Sequence, residues 1–197
     1  MRRGYDALSA RYDDAYGGES KYPALLAELT GRLAAGQDVL DLGCGSGLPV
    51  ARTLAAAGHQ VTGVDFSEVQ VARARQHVPA ASFICADITA VEFGTASFDA
   101  VVSFFALIHL PLAEQPPLLA RIAGWLRPGG LFVATTGFGS WTGSEDNWMG
   151  GGTAMWWSHG DVAAYRAWIT AAGLRVEREE FVPEGDSGHA LFWAVRD

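Results

Sequence analysis

The run Val39-Leu40-Asp41-Leu42-Gly43-Cys44-Gly45-Ser46-Gly47 decides how this chain is read. Residues 39–42 form a short apolar run that reads as a buried strand. The glycines that follow make a turn with unusual dihedrals, where a ligand can approach the backbone closely. Residues 48–57 then read as a helix stopped by Gly58. Its first N–H groups, which have no partner within the helix, face the turn. In an open α/β sheet, a ligand of nucleotide type binds at the carboxyl end of such a strand. The spacing is Gly-x-Gly-x-Gly, and Leu48 stands where the dinucleotide fingerprint needs its third glycine. No Lys-Ser or Lys-Thr pair follows, which excludes a phosphate-cradling P-loop.

Two further acids lie at comparable junctions. Asp65 ends the apolar stretch Val61-Thr62-Gly63-Val64, and a carboxylate there can accept hydrogen bonds from both hydroxyls of a ribose. Asp87 follows the strand-like residues 82–86 and could accept from an adenine amino group, with Ile88 and Phe66 against the ring. None of these junctions carries Lys or Arg, which fits an adenosine site with no phosphate to neutralise.

Around this centre, strand-like and helix-like blocks alternate, as in a parallel α/β sheet. Helices are expected over 5–16, 21–35, 112–126 and 161–172, and one capped by Ser67 through His77. Strands are expected over 61–64, 82–86, 100–105 and 131–136, with an antiparallel pair over 174–182 and 190–196. Residues 137–160 are rich in Gly, Ser and Trp, show no period and read as an irregular insert. The 197 residues are expected to form one domain. It would comprise a helical cover (1–36), a cofactor-binding core (37–137), the insert (138–160) and a closing helix with a strand pair (161–197).

Composition removes other classes. Asp and Glu number 22 against 14 Lys and Arg, a net charge of −8 with Lys21 the sole lysine, so nucleic acid is not an expected partner. No stretch approaches the ~20 apolar residues of a membrane helix, and the N-terminus has no apolar leader. Two cysteines, Cys44 and Cys85, make neither a disulfide framework nor a four-cysteine zinc site, which suits a reducing cytoplasm. The histidines and acids do not cluster with metal-ligand spacing, and no metal is expected.

Taken in order, these segments resemble the class I S-adenosylmethionine-dependent methyltransferases over residues 37–137. The resemblance is carried by Val39–Gly47, Asp65, Asp87-Ile88, Phe98-Asp99-Ala100-Val101-Val102-Ser103 and Leu126-Arg127-Pro128-Gly129-Gly130-Leu131. It implies a Rossmann-like, seven-stranded, mostly parallel sheet with a reversed final strand and helices on both faces. It also implies S-adenosyl-L-methionine as cofactor. The ligand would be held by Asp41, Gly43, Gly45, Gly47, Asp65, Phe66, Asp87, Ile88 and Phe104. Tyr5-Asp6, Tyr12-Asp13 and Tyr16 look like the family's helical cover, which adds Tyr12 on the cofactor side.

The expected reaction is methyl transfer to an oxygen or nitrogen atom of a small aromatic or apolar molecule. The sulfonium methyl is already activated, so positioning and water exclusion can suffice. Candidate acceptor residues are Tyr16, His109, Trp156, Trp157 and His159, with His109 and His159 as candidate bases. Glu184 and His189 flank a hairpin at 183–188 and read as solvated turn residues, the alternative being that the hairpin reaches the pocket. A monomer or homodimer is expected. A sensor or cyclase that binds the same cofactor is an alternative, and a dinucleotide-dependent oxidoreductase is a second, disfavoured by Leu48.

Overall fold

The computed structural model describes residues 2–16, 21–185 and 187–197. These group into two compact units: the chain up to Val91 with Asp146–Met155, and Glu92–Glu145 with Trp156–Asp197.

The first unit holds α1 (Arg2–Tyr16), α2 (Lys21–Arg32), β1 (Asp38–Leu42), α3 (Val50–Ala56), β2 (Gln60–Asp65), α4 (Glu68–His77) and β3 (Ser82–Cys85). Strands β1, β2 and β3 run parallel, with Asp41 opposite Gly63 and Asp65 opposite Cys85. Val39, Leu40, Leu42 and Val64 are fully or almost fully buried, as strands with both faces covered require. Ser67 caps α4 by accepting from the Gln70 N–H at 3.1 Å. Glu68 in the first turn of α4 and Arg75 and His77 in its last suit the helix dipole. Gly63 is required by packing: a Cβ there would lie 2.6 Å from Phe83 and 2.8 Å from Cys44 Sγ.

The second unit holds β4 (Phe98–Ser103), α5 (Gln115–Trp125), β5 (Leu126–Gly137), β6 (Trp141–Glu145), β7 (Met155–His159), α6 (Val162–Ala171), β8 (Leu174–Glu184) and β9 (Ser187–Arg196). Its core is aromatic: Phe132, Tyr165, Phe192 and Trp193 are fully buried. Arg127 pairs with Asp99 at 2.5 Å across the turn into β5.

The seven main strands take the order β3-β2-β1-β4-β5-β9-β8. Strand β9 runs antiparallel to both β5 and β8. This is the mostly parallel sheet with a reversed final strand that the sequence predicts. The reversed strand enters between β5 and β8 and does not form the edge.

Two expectations on local structure change. The helix expected over 112–126 begins as a 3-10 turn at Leu112–Glu114, and α5 starts at Gln115. Pro116 and Pro117 are tolerated there because a helix's first N–H groups need no helical partner. The insert over 138–160 is not wholly irregular, since β6 and β7 form a separate two-stranded sheet. Strand β6 is exposed or half-exposed along its length, so no apolar alternation marks it in the sequence.

Candidate functional site

In the first unit the site is built on the glycine turn. The Gly43 and Cys44 N–H groups both donate to the Val64 carbonyl, at 2.8 and 3.0 Å, which locks the turn onto the end of β2. Gly43, Gly45 and Gly47 have φ of +79°, +52° and +79°, a left-handed path that side chains disfavour. A Cβ on Gly45 would meet Gln70 Nε2 at 3.9 Å, an ordinary contact, so it is the positive φ and not crowding that calls for glycine there.

Asp65 is buried at the end of β2. Its Oδ2 accepts from the Gly45 N–H at 3.0 Å and its Oδ1 from the Ser67 N–H at 2.9 Å, and the Phe66 backbone also donates to the carboxylate, which keeps acceptor capacity for a ligand hydroxyl. Burial pushes its pKa up to about 6 against the pull of these donors. Asp41, at the end of β1, is pushed up to about 7 by burial and then by the charge of Asp65. Its Oδ2 is buried with no hydrogen-bond partner among the described residues.

This arrangement fits the expected cofactor. Two adjacent buried carboxylates, with no Lys or Arg paired to either among the described residues, form a site short of positive charge. A cationic ligand with ribose hydroxyls suits it, whereas a pyrophosphate would add like charge.

Asp87 lies beyond β3, exposed, with Oδ1 accepting from the Thr89 N–H and hydroxyl at 2.8 and 2.7 Å; Ile88 beside it is buried. Phe66 meets Tyr5 edge-on at 6.2 Å. Tyr12 packs against Tyr5 at 5.7 Å and Trp148 at 6.0 Å. Trp148, not singled out in the sequence, and Tyr5, read there only as part of the helical cover, thus join Tyr12 and Phe66 in one aromatic group.

Helix α1 is bound to the same loops. Ser67 Oγ donates to Asp6 at 2.5 Å, Ser46 Oγ donates to Asp13 at 2.8 Å, and Arg73 pairs with Asp13 at 2.7 Å. The seven-residue repeat of Tyr-Asp puts both pairs on one helix face, a signal available in the sequence. Tyr16 closes α1, but its side chain lies outside the described ones.

The second unit carries the remaining candidates. Phe104 is buried just after β4. Phe105 beside it has φ +58°, a strained conformation for a non-glycine residue, held by its N–H bonding to Thr135 Oγ1 at 2.5 Å.

His109 ends a 3-10 turn, and its Nδ1 lies 2.9 Å from the Trp156 carbonyl. A carbonyl only accepts, so Nδ1 carries the proton and Nε2 the lone pair in the neutral ring. Burial pushes the pKa down to about 4, which keeps the ring neutral near pH 7. His159 is held alike, with Nδ1 2.7 Å from the Gly139 carbonyl. Rings follow in series: His109 to Trp157 at 5.7 Å, Trp157 to Trp141 at 6.0 Å, Trp141 to His159 at 6.1 Å. The sequence reading brought His109, Trp156, Trp157 and His159 to this place and missed Trp141.

Glu184 and His189 correct their expectation. They are not turn residues but half-buried residues of β8 and β9 that meet, with Glu184 Oε2 3.0 Å from His189 Nε2. The His189 ring meets Phe105 edge-on at 4.9 Å. Pairing of β8 with β9 sets their distance, which spacing alone does not show.

Residues 39–130 match a methyltransferase domain family. Among curated proteins, 27-O-demethylrifamycin SV methyltransferase of Amycolatopsis mediterranei is 33% identical over 150 residues, 65% of this chain and 54% of that protein. 24-Methylenesterol C-methyltransferase 2 of Oryza sativa is 34% identical over 105 residues, covering 50% of this chain and 28% of that protein. The chain thus spans about half or less of the length of these relatives. The solved structure of the cyclase SpnF superposes with a TM-score of 0.78 at 21% identity, over 99% of this chain and 94% of that one, a likeness of fold alone. Over residues 39–130 the chain is thus similar to the methyltransferase domain family that its motifs resemble, and the comparisons support S-adenosyl-L-methionine as cofactor.

Proposed function

We propose that this protein transfers the methyl group of S-adenosylmethionine to an oxygen or nitrogen atom of a small flat or apolar molecule. When bound, the cofactor supplies a sulfonium-activated methyl group for in-line displacement. Asp65 would accept from the ribose hydroxyls, Asp87 from the adenine amino group, and Asp41 would face positive charge on the methionine side. The glycine turn provides the close backbone approach, and Tyr12 and Phe66 exclude water. His109, neutral with its lone pair on Nε2, is suited to take a proton from a hydroxyl or an amine as the new bond forms. His159 is the second candidate for that role.

The observation that carries this reading is the pair of buried carboxylates Asp41 and Asp65 at the glycine turn, lacking any paired cation among the described residues. For the acceptor, the support is the indole surface of Trp141 and Trp157, one side chain 47% exposed and the other half-buried. No Lys or Arg lies between residues 137 and 160 to meet an anionic acceptor. The relatives' names include both oxygen and carbon methylation, and a proton-accepting imidazole favours a protic acceptor. Methyl transfer from labelled cofactor across a panel of phenols, amines and carboxylic acids tests this. Transfer to phenols or amines is expected. Cofactor binding with no transfer to any of them would favour the second reading, a cyclase or sensor, which the fold shared with SpnF leaves in play.

A further inference from the structure

We propose that Gln115 is a positioning residue for His109, its side-chain amide fixing the segment behind that histidine against the strand that carries Trp156 and Trp157. The inference rests on the reading of His109 as the acceptor-side base.

Gln115 opens α5 and is fully buried. Its Nε2 donates to the Leu110 carbonyl at 2.8 Å and to the Ser158 carbonyl at 2.7 Å. Its Oε1 accepts from the Tyr165 hydroxyl at 2.6 Å. Both amide hydrogens are therefore used, each on a different backbone segment, and the oxygen is oriented from α6. Leu110 directly follows His109, and Ser158 lies two residues beyond Trp156 on β7. The bond from His109 Nδ1 to the Trp156 carbonyl spans the same two segments. Two links at separate points thus join the two segments. The far side of β7 is held as well, through Ser158 Oγ and Thr142 Oγ1 at 2.9 Å.

The position of the Trp156 carbonyl selects which imidazole nitrogen carries the proton. Gln115 thus acts on the base through the proton's location, without touching substrate or cofactor. A role confined to filling the core would leave that tautomer unchanged.

Three variants of the full chain test this. Gln115→Met keeps the length and removes all three bonds. Gln115→Glu keeps the shape, but an ionised carboxylate cannot donate to the two carbonyls. Tyr165→Phe removes the bond that orients the amide, together with the hydroxyl's bond to the Gly137 backbone, and leaves both bonds from Gln115 Nε2 in place. The readout is the nitrogen-15 spectrum of the histidine rings, with His109 assigned by its loss in His109→Gln. Titration with S-adenosylhomocysteine is run in parallel.

Wild type is expected to show one His109 tautomer, protonated on Nδ1. Each folded Gln115 variant is expected to shift the tautomer ratio about 5-fold toward Nε2–H, the effect of one lost hydrogen bond. Tyr165→Phe shifts it less, and affinity for S-adenosylhomocysteine stays within about 2-fold. An unchanged His109 spectrum in every folded variant overturns the proposal, with Tyr165→Phe serving where the Gln115 variants do not fold. Loss of S-adenosylhomocysteine binding together with the tautomer change overturns it too, since the effect is then global. Failure of the base reading is seen separately: His109→Gln would keep full methyl transfer to 2-naphthol while the tautomer result stood.

Discussion

Asp65 bonds to backbone donors on both oxygens while burial holds its pKa near 6. The sign of the resulting pH dependence is fixed. A ribose hydroxyl donates to the carboxylate, and protonation removes that acceptor, so affinity falls as pH falls through about 6. Titration with S-adenosylhomocysteine is expected to be about 10-fold weaker at pH 5 than at pH 7.5, as a group of this pKa dictates. Asp65→Asn should weaken binding about 10- to 100-fold at pH 7.5, the worth of hydrogen bonds to a charged group, and make the profile shallower, the remaining acid loss belonging to Asp41. An acid loss as steep in Asp65→Asn as in the parent would remove Asp65 from the titration. The places of Asp65, the glycines and Asp87 at strand ends were legible because local spacing after strands sets them. Gln115 was not, since its partners Leu110, Ser158 and Tyr165 come from three segments and a lone glutamine carries no pattern. Glu184 and His189 failed for a related reason: each is unexceptional until strand pairing brings them together.

At the scale of elements, α1 is held to the glycine turn and to α4 through two of its carboxylates, Asp6 and Asp13. Asp13→Ala would leave Arg73 and Ser46 without this partner and weaken helix docking by about 1–3 kcal/mol. Amide hydrogen exchange within α1 should then quicken by about 10-fold or more while β1 and β2 stay protected. Equal exchange in variant and parent would mean that apolar contacts, such as buried Leu8, hold the helix without Asp13. Gly63→Ala would drive a methyl group into Phe83 and Cys44, costing about 1–3 kcal/mol. A melting temperature lowered by about 2–10 °C is expected, and no change would show that the Phe83 ring gives way. The main strands were readable as apolar runs. The β6–β7 pair was hidden because its strands, about ten residues apart in the chain, lack an apolar alternation.

For the whole molecule, ligand choice appears in stability. S-adenosylhomocysteine at 100 times its dissociation constant should stabilise the folded chain by about 2.7 kcal/mol and raise its melting temperature by about 5–10 °C. NADH at equal concentration should leave the temperature unchanged, and the reverse pattern would point to an oxidoreductase. The seven-stranded, mostly parallel sheet with its reversed strand, and the family resemblance, were accessible from the sequence because five motifs follow one another in order, whereas the strand order was not read from it. Within the insert, only aromatic content was readable, and the ring series from His109 to His159 depends on tertiary placement. The lone, buried Oδ2 of Asp41 has a calorimetric consequence. With its pKa near 7, that carboxyl is about half protonated at neutral pH before any ligand arrives. An ammonium or sulfonium settling beside it displaces the proton into solution, so the site exchanges one cation for another. The heat of binding will therefore vary with the ionisation enthalpy of the buffer, and the slope of that plot counts the protons released.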